Sequence, residues 1–80
     1  MIEQSEVISV KQYKFQQSEN GNYTLFDGRL ALVFDRYDMY ENQNQIVLSM
    51  NSMFVANIFG QDEAEFTMFV LALKGITKWK

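Results

Sequence analysis

The strongest constraint on this chain lies near its end. Asp62-Glu63-Ala64-Glu65 sets a side-chain acceptor three residues ahead of a glutamate, the pattern of a capping box with Asp in place of Ser or Thr. Phe66, Phe69, Val70 and Leu73 follow at i, i+3, i+4 and i+7, which is one stripe of a helix. Acids in the first turn and Lys74 in the last suit the helix dipole. Gly75 offers the left-handed residue that ends many helices, with Ile76 folding back on Leu71. The spacing predicts a helix over 63–74. Met68, Leu71 and Ala72 fall off the main stripe, so this helix is expected to be apolar around most of its girth and either heavily buried or at an interface.

Upstream the period changes to two. Residues 7–15 are rich in β-branched and aromatic side chains, with Tyr13 and Phe15 on one face. Asn20-Gly21 predicts a type I′ hairpin, which would set Phe15 opposite Phe26 as a cross-strand aromatic pair. Asp27-Gly28 repeats the turn signal and leads into residues 29–34, apolar on both faces, as in a strand at the middle of a sheet or covered on both sides. Residues 37–45 lose the alternation and are expected to form a loop or ragged turn. Residues 46–50 and 53–59 suit a second hairpin around Asn51-Ser52. Ile46, Met50, Phe54 and Ile58 also recur every fourth residue, as a helix would require, but the Val, Ile and Phe content favours strands. The expected fold class is α+β, an antiparallel β-meander of about five strands packed by one C-terminal helix, in a single small domain over 1–80.

Forty-eight per cent of the residues are hydrophobic and 15% aromatic. That suffices for a core in a chain of this length, which buries only about 60% of its unfolded surface. There is no Cys, so neither a disulfide nor a thiolate metal site contributes. The acidic start, Met1 to Glu6, is unlike a signal peptide. The longest strongly apolar run, 66–73, is far short of the ~20 residues that span a bilayer. The expectation is a complete short protein, cytoplasmic and without membrane association.

His is absent as well as Cys, which removes the commonest general base, the commonest transition-metal ligand and the thiol nucleophile. Gly21, Gly28, Gly60 and Gly75 stand singly, so no phosphate-cradling loop is present. No catalytic residue, cofactor or metal is expected, and the chain is not expected to be an enzyme. Asp35, Asp38 and Glu41 recur every three residues and on a helical turn would offer oxygens to a hard cation. Their spacing matches no EF-hand, and a solvated acidic loop is the favoured reading. Tyr13, Phe15, Tyr23 and Phe26 would suit base stacking on adjacent strands, but such surfaces carry a basic groove. Here the basic residues are scattered and the net charge is −3, which favours the inner face of the sheet instead.

What remains by elimination is an acidic protein–protein interaction module, expected to be an inhibitor of the phage, plasmid or toxin–immunity kind that binds a basic nucleic-acid enzyme. Asp35, Asp38 and Glu41, with Asp27, would face the partner's basic surface, and Tyr37, Met39 and Tyr40 would anchor it. Trp79, between Lys78 and Lys80, either packs back on a sheet edge or adds a further anchor. One alternative is a self-assembling homodimer subunit that buries the helix and the two-sided strand 29–34. Another is a small β domain for an oligonucleotide or small ligand, with nucleic acid disfavoured by the charge balance.

Overall fold

The computed structural model describes residues 7–18 and 20–77. Along the chain run β1 (Val7–Val10), β2 (Tyr13–Gln17), β3 (Tyr23–Asp27), β4 (Leu30–Phe34), β5 (Arg36–Tyr40), a 3-10 turn (Glu41–Gln43), β6 (Gln45–Met50), β7 (Met53–Phe59) and α1 (Glu63–Ile76). Every strand pairing is antiparallel, in a four-stranded sheet β1-β2-β3-β4 and a three-stranded sheet β5-β6-β7. The meander closed by a C-terminal helix is therefore present, divided into two sheets at Asp35.

Two strands exceed the sequence expectation. The run 7–15 is broken at Lys11, whose φ of 57° turns the chain back so that Val10 pairs with Tyr13. β5 takes up 37–40 of the segment 37–45 expected to be a loop. Its pairing sets Tyr37 against Leu48 and Met39 against Ile46, whereas Arg36 and Asp38 meet Ser49 and Val47. An edge strand with one wet face carries charges at alternate positions, and that polarity hid its period.

The β2–β3 register also differs from expectation. Phe15 pairs with Leu25, and Phe26 pairs with Lys14. The turn is closed by Ser18 N–H donating to the Asn22 carbonyl at 2.8 Å and Gly21 N–H to the Ser18 carbonyl at 3.2 Å, with Gly21 at φ 94°. This closure from Ser18 to Asn22, with Gly21 in the left-handed region, replaces the expected two-residue turn, and the one-residue slip in register sends Phe26 to the outer face. In the β6–β7 hairpin Asn51 and Ser52 both have positive φ, 52° and 68°, as a type I′ turn demands, so 46–59 is a hairpin and not a helix.

At the helix start Asp62 Oδ1 accepts from Glu65 N–H at 2.9 Å, and Glu65 Oε1 accepts from Gln61 N–H at 2.8 Å. Two orphan donors of the chain entering the helix are thereby satisfied by the expected acids. The helix runs on through Gly75 to Ile76, and Thr77 N–H closes it on the Leu73 carbonyl. Gly75 is helical, not left-handed. Its role is close approach, because a Cβ there would collide with Ile8 Cδ1 of β1. Ile76 is buried while Leu71 is 62% exposed, so the expected fold-back does not form.

One core cluster takes Phe15, Leu25 and Phe34 from the first sheet, Ile46, Leu48 and Ile58 from the second, and Phe66, Phe69 and Leu73 from the helix. Phe69 meets Tyr13 and Phe15 edge-on, at centroid distances of 5.5 and 6.4 Å. Tyr23 leans on Phe34 at 5.4 Å. Tyr13, Phe15 and Tyr23 thus belong to the interior, in line with the inner-face reading. β4 is not covered on both sides, since Leu30 and Val33 are exposed. No helix among the described residues is long and apolar enough to cross a membrane.

Candidate functional site

The residues singled out as partner contacts fall on and around β5, but strand geometry divides them. Tyr37 and Met39 point inward and pack against the core. The Tyr37 hydroxyl lies 3.4 Å from Thr77 Oγ1, tying β5 to the end of α1. Tyr40 is exposed, and Glu41 starts the 3-10 turn that Asn44 closes at φ 50°. Of the three expected anchors, Tyr40 is the one whose ring is presented to solvent.

The acids do not act together. Asp35 Oδ2 accepts from Asn51 N–H at 3.1 Å and so stabilises the β6–β7 turn. Asp38 pairs with Arg36 at 3.4 Å. Asp27 sits on the other sheet and accepts from Gln12 Nε2 at 3.2 Å. The helical turn that would have put Asp35, Asp38 and Glu41 on one face is replaced by extended chain. Among the described residues no group of three or more side chains is placed to hold a metal ion. Trp79 lies outside the described residues.

What the fold does assemble is a groove between β5 and α1, with a volume of about 270 Å³. Met39, Phe66 and Val70 give it an apolar floor, and Glu41, Glu63 and Lys74 stand around it. Tyr37 meets Thr77 at one end of the helix, and the Asn44 carbonyl accepts from Gly60 N–H at 2.9 Å beyond the other. β5 therefore runs antiparallel to α1, which brings Glu41 and Glu63 to the same end of the groove and leaves Lys74 towards the opposite one. Neither glutamate is in an ion pair among the described residues. An apolar floor with two carboxylates at one end suits a Lys or Arg side chain, whose aliphatic stem lies on the floor while its head meets the acids. Glu63, Phe66 and Val70 were read from the sequence as helix start and core stripe. Nothing in their spacing reveals that β5 lies beside them.

Glu65, by contrast, is engaged structurally. Lys11 Nζ lies 2.6 Å from its Oε2. The hydrogen bond from Lys11, helped by Gln61 N–H, holds the Glu65 carboxyl below its ordinary range. The same hydrogen bond, with the charge attraction of Glu65, raises the Lys11 ammonium. Burial pushes the Tyr23 hydroxyl up.

On the outer face of the first sheet, Val7, Lys14, Gln16 and Phe26 line a shallow concavity of about 460 Å³. It holds one ring beside one cation, less than the run of aromatics that a stacking surface for a nucleic-acid strand uses. No protein-family model matches this chain, and neither does any curated protein or solved structure.

Proposed function

We propose that this chain is a protein–protein interaction module, not an enzyme, that grips a basic partner through the β5–α1 groove. The observation that supports this reading is the groove itself: Met39, Phe66 and Val70 form an apolar floor at whose end Glu41 and Glu63 stand unpaired among the described residues. Tyr40, on the outer face of β5, extends the contact as an aromatic anchor. The acidic balance of the whole chain adds long-range attraction to a positive surface. Enzymes that handle nucleic acid carry such surfaces, since they neutralise phosphates with Lys and Arg. An inhibitor or immunity-type role against one of them, in the cytoplasm, is part of this proposal, and the acidic balance of the chain supports the choice of a basic target.

The test is affinity capture from source cells, then titration of the captured partner against variants. Glu41→Lys with Glu63→Lys is expected to weaken binding by about tenfold or more, the loss of at least ~1.4 kcal/mol. Affinity is also expected to fall as salt is raised. Asp35→Asn, away from the groove, is expected to leave affinity unchanged. Binding that survives the double charge reversal would remove the groove from the interface.

A further inference from the structure

We infer that β7 is a dimerisation edge, along which two copies of this chain pair antiparallel about a two-fold axis to join their three-stranded sheets into one of six strands. The inference is independent of the groove proposed above, which lies beside β5 on the opposite edge of that sheet.

Among the described residues the four edge strands are β1, β4, β5 and β7. A bare edge presents unpaired N–H and C=O groups, and proteins blunt it with charges, Pro, short length or a cover. β1 has four residues and is packed by the helix. β5 carries Arg36 and Asp38. β4 runs into β5 through Asp35 and lies against β6 and β7. β7 shares the contact with β4 and has a bulge at Val55, opposite Leu48 and Ser49, but among the described residues it has neither the charges nor the short length that blunt the others. It is the longest strand, seven residues Met53–Phe59, and contains no charge and no Pro. Among the described residues it is hydrogen-bonded as a strand only to β6. Phe54 is 67% exposed and Phe59 59% exposed.

The occupant follows from charge and symmetry. Residues 42–61 contain no Asp, Glu, Lys or Arg, although the chain as a whole carries −3. The β6–β7 hairpin is thus the surface where two identical acidic molecules meet without like charges in contact. An antiparallel strand is its own complement under a two-fold axis, so β7 against β7 satisfies both edges at once. The six-stranded sheet then ends on two β5 strands, whose Arg36 and Asp38 discourage further addition. Assembly closes at two copies.

Sedimentation velocity at tens of micromolar concentration tests this, with amide hydrogen exchange along β7 as a second readout. The wild-type chain is expected to sediment at twice its 9.4 kDa mass, with slow exchange in β7. Asn57→Lys, at an exposed β7 position, sets like charges beside the axis. It is expected to raise the dimer dissociation constant by about tenfold or more and to expose the β7 amides, with the circular dichroism spectrum unchanged. Should that variant misfold, Phe59→Lys makes the same test at another exposed position. A wild-type monomer, open-ended polymers, or a dimer that survives both substitutions and yields to Met68→Lys on the helix would each overturn the inference.

Discussion

Gly60 and Gly75 both sit where another element comes close, and they differ in what a methyl group would strike. A Cβ on Gly60 would stand 2.6 Å from the backbone nitrogen of Phe66 and 2.9 Å from its Cα. Those atoms belong to the first turns of α1 and cannot yield without moving the helix. Gly60→Ala is expected to cost about 1–3 kcal/mol, as overpacking does. At Gly75 the obstacle is Cδ1 of Ile8, the far end of a flexible side chain. Ala also favours the helix interior over Gly by up to about 1 kcal/mol, so Gly75→Ala is expected to change stability by less than about 1 kcal/mol. Urea denaturation of the two variants ranks them, and a larger loss at Gly75 would contradict the packing described. The sequence marks both residues as chain punctuation. That Gly60 faces α1, and that Gly75 is a contact and not a terminus, depends on partners six and sixty-seven positions away.

At the scale of elements, the β2–β3 hairpin carries the most consequential register. With Phe15 opposite Leu25, Phe15 is fully buried and meets Phe69, while Phe26 lies half-buried on the outer face beside Lys14. Phe15→Ala is expected to cost about 3–5 kcal/mol, the range for emptying a core ring. Phe26→Ala is expected to cost under half as much, since much of that ring is already wet. Equal losses in thermal melts would mean that the register is the one that Asn20-Gly21 suggests. The two alternatives differ by one residue of turn length. Alternation alone does not separate them, because Phe15, Leu25 and Phe26 are all suited to an inner face. Burial against Phe69 settles it, and Phe69 lies more than forty residues further along the chain.

For the whole molecule, the Lys11–Glu65 ion pair joins the β1–β2 turn to the first turn of the helix. Glu65 is held below its ordinary range, so its contribution to stability is present at neutral pH and is lost as pH falls through the carboxylate range. Lys11 is raised, so its contribution is present at neutral pH and is lost as pH climbs past the ordinary lysine range. Glu65→Gln is therefore expected to be less stable than wild type near pH 7, with the gap closing below about pH 4. Chemical denaturation at pH 7, 5 and 3 checks this, and a gap that is constant over the three would show that the charge contributes nothing. Both side chains reach solvent, so the effect is expected to be modest and to shrink with salt.

Signals that act within about four residues were readable from the chain alone: the Asp62 cap, the stripe from Phe66 to Leu73 and the Asn51-Ser52 turn. Each of them is decided by hydrogen bonds and side-chain spacing between near neighbours. The place of β5, the inward turn of Tyr37 and Met39, and the meeting of Glu41 with Glu63 needed the tertiary structure. They arise when a polar-looking segment pairs with β6 and comes to lie beside a helix more than twenty residues downstream. Local propensity does not encode such pairings. They are stabilised because that arrangement buries Ile46, Leu48 and Phe66 in a common core.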